Sequence, residues 1–294
     1  MNEKQKWLIK PLYFKMQHFL MILPDDVFLR IKYLFKTRRR LNLGNPVTYN
    51  EKLQWLKLYD RNPEYTKYAD KNAVKEIVSR LIGEEYVIPT IGVWERFDDI
   101  DFDKLPDRFV LKCTHDSGSA VICDDRTKLD IKTARRKINA EMKRNFYWAG
   151  REEQYKNIPR RIIAEPFIGN ASGIRDYKFF VFNGKVKAMY IATGRNTKTG
   201  VCFDFFDTEF NHLDFTNGHP NAKICPDKPE YFEKMKELAE ILGKDFRHIR
   251  IDFYETDNRI WFGEYTFHHM DGMARFIPEK WDYTFGEWLD ISAN

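Results

Sequence analysis

The stretch HIRIDFYETDNRIWFGEYTF, residues 248 to 267, constrains the fold more than any other part of the chain. Polar and apolar side chains alternate on both sides of its centre, which is the period of a β-strand. The ETDNR segment between the two arms suits a tight reversal. The stretch therefore predicts an antiparallel hairpin, with Arg250 and Asp252 on one face and with Glu264 and Thr266 opposite them on the neighbouring strand.

Two carboxylates in this hairpin predict a magnesium site. Asp252 and Glu264 offer hard oxygen ligands, and magnesium in proteins is commonly held by one or two carboxylates together with water and substrate phosphates. Arg250 beside them can neutralise a transferring phosphoryl group. An ordinary antiparallel pair with a polar face fits the same residues, so other segments have to decide between the two interpretations.

The composition indicates a folded chain of one elaborated domain or two closely packed ones. It has 294 residues, of which 43% are hydrophobic, and no long Gly, Ser or Pro tract. Its four cysteines lack CxxC spacing, which favours a reducing compartment and packing roles. Lysines interrupt the apolar N-terminal run, which argues against a signal peptide or a membrane span. These features predict a cytoplasmic protein.

Positive charge is concentrated at the N-terminus. Residues 1 to 60 contain twelve Lys or Arg and five Asp or Glu, so this region carries a charge of +7. The rest of the chain carries −2, which gives the net charge of +5. The segment PDDVFLRIKYLFKTRRR predicts a helix with Asp25 or Asp26 as its N-cap and three arginines at its end. Its apolar face comprises Val27, Ile31, Leu34 and Phe35.

Two interpretations of this basic helix are open. Its cations simply match the helix dipole and face solvent, or they bind an anionic membrane surface or an acidic polymer together with exposed aromatics. The second interpretation predicts a peripheral position at the inner face of the membrane. No recognisable nucleic-acid motif is present, so nucleic acid is not an expected partner.

The remaining pattern predicts an α+β fold with mostly antiparallel strands. Thr48 is the expected cap of a helix over NEKLQWLKLYDRN, and TKYADKNAVKEIVSRLIGEEY predicts one helix that ends at Gly83. KTARRKINAEMKRNFYWAG predicts a long amphipathic helix, and PEYFEKMKELAEILG predicts another that ends at Gly243. The pair Asn183-Gly184 predicts a hairpin turn.

Two further segments are compatible with nucleotide binding. Lys112 ends the apolar strand FVLKC before the turn at Ser117-Gly118-Ser119, so a cation lies beside approachable backbone N–H groups, although a plain hairpin also fits and Walker A is absent. In IIAEPFI, Pro166 offers a carbonyl and Ile168 offers an N–H, which are the two groups that an adenine edge requires. Because Pro166 lacks a ladder donor, we expect it at a sheet edge or a strand exit.

The order of these motifs resembles the ATP-grasp superfamily. The resemblance rests on YADKNAVKE, FVLKC, IIAEPFI, DYKFFVFNGKV, IRIDFY and WFGEYTF, and it covers about residues 66 to 275. The preceding run LNLGNPVTYNEKLQWLKLYDRNPEYTKYADK further resembles the TupA-like branch, which is named for teichuronopeptide synthesis and is found among bacterial surface-polysaccharide enzymes.

The resemblance implies two α+β lobes that close on ATP, with a basic helical region at 1–65, a first lobe at 66–160 and a second at 161–294. It implies contacts of Lys71 and Lys112 with the phosphates, of Glu165, Pro166, Phe167 and Ile168 with adenine, and of Asp176 and Lys178 with ribose or phosphate. Asp252 and Glu264 would bind magnesium together with Thr266. Thr266 replaces an asparagine that many members carry, which leaves the number of magnesium ions open.

The implied reaction is ATP-dependent amide formation between a carboxylate and an amine through an acyl phosphate. Arg250, Lys112 and His268 are the expected catalytic residues. The implied substrates are a uronic acid of a surface polysaccharide or its precursor and an amino acid or amino alcohol. The loops 194–200 and 211–221 are expected to shape the acceptor pockets.

Three histidines need a separate interpretation. His268 and His269 are not expected to share a zinc ion, because neighbouring strand residues face opposite sides. We expect one of them to face the substrate and the other to lie in an ordinary loop. His115 is expected at the surface, with phosphate binding or base catalysis as the alternative.

Two other functions remain compatible with the sequence. Asp101-Phe102-Asp103 has the DxD form that holds metal and nucleotide sugar in glycosyltransferases. The basic helix and the abundant aromatics also fit a non-catalytic module that binds glycan or membrane.

Overall fold

The computed structural model describes residues 22–169, 175–194, 200–256 and 258–292. The N-terminal apolar run, the centre of the 194–200 loop and Asp257 of the predicted reversal lie outside these residues. The α-helices are α1 (Asp25–Thr37), α2 (Tyr49–Tyr59), α3 (Tyr65–Ala69), α4 (Val74–Ile82), α5 (Ile131–Met142), α6 (Tyr147–Gly150), α7 (Phe232–Gly243) and α8 (Lys280–Trp288). The strands are β1 (Gly92–Trp94), β2 (Phe109–Cys113), β3 (Val121–Cys123), β4 (Ile162–Pro166), β5 (Arg175–Phe182), β6 (Lys185–Thr193), β7 (Cys202–Phe206), β8 (His212–Leu213), β9 (Thr216–Asn217), β10 (His248–Thr256), β11 (Arg259–Thr266) and β12 (Phe276–Ile277).

The smaller of two main sheets is a four-stranded sheet in the order β1-β4-β2-β3, and all of its pairs are antiparallel. Alternate side chains of β2 and β4, such as Leu111 and Ala164, pack with Ile138 of α5 in one buried cluster. Lys112 and Glu165 alternate with these residues and therefore lie on the face opposite α5.

The larger sheet has six strands in the order β11-β10-β5-β6-β7-β8 and carries helices on both faces. Helices α4 and α7 contribute to the core on one face, and α2 and α8 contribute to the core on the other. A further ribbon joins β9 to β12. The mixture of helices with antiparallel sheets confirms the predicted α+β class, whereas the three-part division at residues 65 and 160 stays a prediction.

The hairpin predicted from residues 248 to 267 is confirmed. Asp252 lies directly opposite Glu264, and Arg250 lies directly opposite Thr266. On its other side β10 pairs with β5, which places Lys178 opposite Asp252. Three adjacent strands therefore bring their polar side chains to one place.

The predicted helix cap, helix end and hairpin turn are confirmed. Thr48 caps α2 in a reciprocal capping box with Glu51, so two backbone N–H groups at the helix start are satisfied. Gly83 follows α4 with φ +113°, a conformation that disfavours other residues. Asn183 and Gly184 both have positive φ, at 48° and 73°, as a tight hairpin turn of this type requires.

Three helix boundaries were predicted wrongly. Pro24, not Asp25 or Asp26, stands at the N-cap of α1, and Asp25 pairs instead with Arg61. The single helix expected from residue 66 to Gly83 breaks after α3, because the Asp70 carboxylate accepts the N–H of residue 72 and offers the backbone another partner. The long helix that starts at residue 131 ends at Met142, before the separate short helix α6.

The apolar face predicted for α1 is exposed. Val27, Ile31, Leu34 and Phe35 are 37% to 69% exposed, whereas other residues of the same helix, such as Leu29, are buried. None of the helices among the described residues combines the length and the apolar character that crossing a bilayer requires.

We predict that replacing Leu53 of α2 with alanine destabilises the protein by about 2 to 5 kcal/mol, because the side chain is 0% exposed and its loss leaves a cavity in the core. The matched control is Leu81→Ala in α4, where the leucine is 42% exposed and the expected change is within about 0.5 kcal/mol. Urea unfolding measures both. Equal effects of the two substitutions would contradict the packing of α2 on the larger sheet.

Candidate nucleotide and metal site

The centre of the site is a fork of hydrogen bonds from Arg250. Its Nε donates to Asp252 Oδ1 at 2.7 Å and its Nη2 donates to Asp252 Oδ2 at 2.8 Å. Nη2 also donates to Thr266 Oγ1 at 2.8 Å and lies 3.4 Å from Glu264 Oε1. A bidentate pair of this kind fixes both the distance and the orientation of the two groups.

Lys178 adds a second cation beside the same carboxylate. Its ammonium donates to Asp252 and forms an ion pair with Asp176 at 2.9 Å. Lys178 and both carboxylates are buried, so their charges interact with little screening by water.

Charge pairing sets the protonation of this cluster. Burial alone would raise the pKa of the Asp252 carboxyl, but the Arg250 and Lys178 cations outweigh burial and hold this pKa below its ordinary value. Burial likewise opposes the charged form of Arg250, and Asp252 more than offsets it, so the pKa of Arg250 lies well above its ordinary value. Asp252 is therefore an anion at neutral pH.

A second charged group joins the smaller sheet to α4. Glu165 binds Lys112 of β2 at 2.5 Å and Lys75 of α4 at 2.6 Å. Burial acts to raise the pKa of the Glu165 carboxyl, but the two lysines lower it below its ordinary value. Sequence reasoning missed Lys75, although its position four residues after Lys71 would have indicated a shared face if that stretch were helical.

Lys71 contacts the turn that joins β2 to β3. Its ammonium donates to the carbonyl of Asp116, in the turn between β2 and β3, and its backbone N–H donates to Thr114 O at 3.1 Å. Burial lowers the pKa of Lys71, while the negative charges of Asp116 and Glu264 act in the opposite direction. The structure thus brings Lys71 into electrostatic range of both the turn and the hairpin.

His115 in the same turn does not lie at the surface, so that expectation is wrong. Its side chain is buried, and its Nε2 lies 3.3 Å from the carbonyl of Glu141 in α5. Burial lowers the pKa of His115 below its ordinary value. The histidine packs under the turn, where a partner on α5 holds it.

The predicted adenine segment leaves the smaller sheet at Pro166. Pro166 is the last residue of β4, which confirms its expected place at a strand exit. The next residue, Phe167, donates its N–H to Arg108 O at 3.4 Å, and the Arg108 guanidinium lies 4.6 Å from the centre of the Phe167 ring. Adenine contacts of Pro166, Phe167 and Ile168 stay a prediction.

Both histidines after the hairpin are buried, and which of them faces the substrate stays a prediction. His268 Nδ1 lies 3.0 Å from Glu152 Oε2 and 3.3 Å from Gln154 Nε2. His269 Nδ1 lies 2.8 Å from Arg250 Nη1. The two side chains have separate partners, and sequence reasoning missed those partners because they come from distant segments.

The donor set of the hairpin fits magnesium. Two carboxylates and the Thr266 hydroxyl are hard oxygen donors, and the Glu264 side chain is 44% exposed while that of Asp252 has no exposed surface. Among residues 22–169, 175–194, 200–256 and 258–292, no three His, Cys, Asp or Glu side chains form a ready-made metal cage. A site with few protein ligands matches an ion that keeps water and phosphate oxygens in its shell.

The Asp101-Phe102-Asp103 motif has a different local role. The Asp101 carboxylate accepts the N–H of Asp103 at 3.2 Å and pairs with Lys104 at 3.1 Å. Asp103 is exposed and lies 3.9 Å from Arg126. The two carboxylates thus have separate partners on the surface.

The sequence profile described as TupA-like ATPgrasp matches residues 51–290. The chain belongs to the TupA-like ATP-grasp family, and the resemblance inferred from the motifs is confirmed. A comparison with curated proteins finds no match.

Solved structures similar to the chain include enzymes complexed with ATP or ADP, at low sequence identity. D-alanine–D-alanine ligase from Bacillus anthracis complexed with ATP is 15% identical with a TM-score of 0.45, and the alignment covers 76% of this chain and 64% of that enzyme. N5-carboxyaminoimidazole synthetase from Staphylococcus aureus complexed with ADP is 13% identical with a TM-score of 0.39, and the alignment covers 67% of this chain and 43% of that enzyme. The chain thus spans less than two thirds of the length of either one.

We predict that Glu165→Gln lowers the free energy of unfolding by about 3 kcal/mol at pH 7, because two partly buried lysines lose their shared anion. The pKa of Glu165 is depressed in the folded state, so its stabilisation is present above the unfolded pKa and is lost as the pH falls through the folded pKa. The difference from the parent protein should therefore shrink in acid.

Chemical unfolding at pH 7 and below pH 4 measures this difference. Glu76→Gln is the matched control, because Glu76 is an exposed residue of α4, the helix that carries Lys75. A destabilisation by Glu165→Gln that does not change with pH would contradict the ion-pair explanation.

Proposed function

We propose that the chain is an ATP-dependent ligase that joins a carboxylate to an amine through an acyl phosphate. The observation that carries this proposal is the convergence of the lysines beside the smaller sheet with the carboxylates of the hairpin. Lys71, which the resemblance assigns to the phosphates, lies in electrostatic range of Glu264, which it assigns to the metal. Family membership supports the same reaction class.

In this proposal the lysines bind the triphosphate. Lys71 and Lys112 supply positive charge from the turn and from β2, and Glu165 holds Lys112 in place. The backbone of Pro166 and Ile168 would bind the adenine edge. Phosphoryl transfer depends on positioning and on neutralisation of charge more than on covalent help, so fixed cations are the groups that the reaction requires.

The hairpin would hold magnesium through Asp252 and Glu264, with Thr266 contributing a hydroxyl. When bound, magnesium supplies positive charge that neutralises the phosphate oxygens. Arg250, held by Asp252 in a bidentate pair, would stabilise the acyl phosphate and the oxyanion that forms when the amine attacks. Lys178 joins the carboxylates of Asp176 and Asp252 and maintains their spacing.

The substrates that we propose are a uronic acid of a bacterial surface polysaccharide, or its precursor, and an amino acid or amino alcohol. The glycan assignment rests on the resemblance to the TupA-like branch, which is found among bacterial surface-polysaccharide enzymes. We propose that His268 faces the substrate. It directly follows the hairpin that carries Asp252 and Glu264, and it has a carboxylate partner in Glu152.

We predict that Glu264→Gln and Asp252→Asn each lower ADP formation by at least about 100-fold, because each removes a negative charge from the magnesium site. The measurement is ADP release from magnesium–ATP in a screen that crosses uronic-acid glycans with amines. Glu237→Gln on α7 is the control, since this glutamate is 60% exposed and forms only a surface ion pair.

ADP formed only with a matched glycan and amine would support both the reaction and its substrates. Full activity of a folded Glu264→Gln variant would refute the assignment of the metal site. Thermal stabilisation by UDP-sugars but not by magnesium–ATP would favour a glycosyltransferase instead.

We also propose that α1 contacts an anionic membrane surface. Its exposed face of Val27, Ile31, Leu34 and Phe35 is apolar, and the helix is followed by Arg38, Arg39 and Arg40. Apolar side chains beside cations fit the boundary between lipid headgroups and acyl chains.

We predict that the protein floats with vesicles containing phosphatidylserine, that it does not float with neutral vesicles, and that Phe35→Asp weakens its binding by about tenfold or more. Leu81→Asp on α4 is the matched control, since Leu81 is 42% exposed on another helix. Absence of flotation with anionic vesicles at low salt would contradict this proposal.

A further inference from the structure

His269 lies between the Arg250 guanidinium and the side chain of Asn217. Its Nδ1 is 2.8 Å from Arg250 Nη1, and its Nε2 is 2.9 Å from Asn217 Oδ1. The Asn217 amide is oriented in turn, because its Nδ2 donates to Ala274 O at 3.1 Å. Asn217 belongs to β9, so this chain of hydrogen bonds links the short ribbon to the hairpin.

These contacts determine which nitrogen of His269 carries hydrogen. An arginine guanidinium only donates hydrogen bonds, so His269 Nδ1 must accept. Asn217 Nδ2 already donates to a carbonyl, so its Oδ1 is the atom that faces the imidazole, and it must receive a hydrogen from Nε2. The neutral imidazole with hydrogen on Nε2 is therefore the form that satisfies every contact.

Contacts with α2 fix the backbone that follows His269. Met270 and Asp271 have φ values of 49° and 61°, a left-handed conformation that disfavours residues with side chains. Gln54 and Lys57 of α2 both donate to the carbonyl of Asp271, at 2.9 and 2.8 Å. These contacts hold the turn in one conformation, so the imidazole has little freedom to move toward another hydrogen-bond partner.

The charge of the partner matters as much as its position. Asp176, Asp252 and Glu264 already place three carboxylates around Lys178 and Arg250. A fourth carboxylate would also orient the guanidinium, but it would add negative charge to a site that has to accept a triphosphate. A neutral imidazole supplies the hydrogen-bond acceptor without that charge.

We propose that His269 is a positioning residue, which holds the Arg250 guanidinium against Asp252 and Thr266 through a neutral acceptor. The inference rests on the proposed function in one respect, namely that Arg250 acts on transferring phosphate. Sequence spacing did not reveal this role, because His269 lies beyond the end of β11. Only the turn at Met270 and Asp271 brings its side chain to Arg250.

The experiment compares three substitutions that separate shape from charge. Asparagine places an acceptor oxygen near the position of Nδ1, aspartate has the same shape with a negative charge, and leucine offers no acceptor. The probe is magnesium with a non-hydrolysable ATP analogue, with affinity measured by calorimetry, together with the rate of ADP formation from magnesium–ATP. Circular dichroism and thermal unfolding verify that each variant is folded.

We predict that His269→Asn keeps the affinity within about threefold, that His269→Asp weakens it by about tenfold or more, and that His269→Leu slows ADP formation by about 10- to 100-fold. Because Asn and Asp have nearly the same shape, the difference in affinity between these two variants measures the effect of charge. A purely structural role of His269 would not produce this difference. Equal affinities of His269→Asn and His269→Asp would overturn the proposal.

A double-mutant cycle tests whether His269 acts through Arg250. In the Arg250→Lys background, His269→Leu should change the rate of ADP formation by less than about twofold, because the guanidinium that it positions is already gone. A full additional loss in that background would overturn the positioning role.

A nuclear magnetic resonance measurement separates this inference from the proposed function. In protein with ¹⁵N-labelled histidine, the signal that disappears in His269→Asn should belong to a neutral imidazole with hydrogen on Nε2. Hydrogen on Nδ1 would overturn the proposal. If the parent protein does not bind the magnesium–nucleotide probe, the proposed function fails, while this spectrum still decides the contact between His269 and Arg250.

Discussion

The buried carboxylate of Asp252 is the interaction on which the rest of the site depends. It has no exposed surface and accepts hydrogen bonds from both Arg250 and Lys178. An unpaired anion in such a place would be strongly unfavourable, so the two cations are part of the fold as well as of the site. Their own remaining contacts extend to Asp176, Thr266 and, through an imidazole, to a separate ribbon.

A second ion pair connects the two sheets. Glu165 belongs to the smaller sheet, and Lys75 belongs to a helix whose apolar side packs in the core of the larger one. Lys112 shares the same carboxylate from β2. A change in the distance between the sheets would therefore have to alter this triad, which makes it a structural link between the nucleotide segment and the lysines near it.

Much of the site followed from the sequence because it depends on local periodicity. The alternation in residues 248 to 267 determines which side chains share a face, so the opposition of Asp252 to Glu264 could be predicted before any tertiary contact was known. The family resemblance added the order of the motifs along the chain. The reciprocal cap at Thr48 was partly predictable for the same reason, since its partners are three residues apart.

The features that sequence reasoning missed depend on contacts between distant segments. Lys75 meets Glu165 across 90 residues, and His269 meets Asn217 across 52. The wrong helix boundaries have two causes. The Asp70 carboxylate accepts a hydrogen bond from a nearby backbone N–H, and Asp25 pairs with Arg61 instead of capping α1. The alternation of polar and apolar residues in the sequence does not indicate which of these partners a side chain will bind.

The packing of α2 also has a consequence for synthesis of the chain on the ribosome. Helix α2 precedes both main sheets in the sequence, yet Asn50 hydrogen-bonds Asp282 from 232 residues away, and Tyr49 packs against Phe285 of α8. The apolar side of this helix therefore emerges long before the residues that bury it. Its final docking has to await translation of α8, and contacts this distant in sequence are characteristic of slow folding.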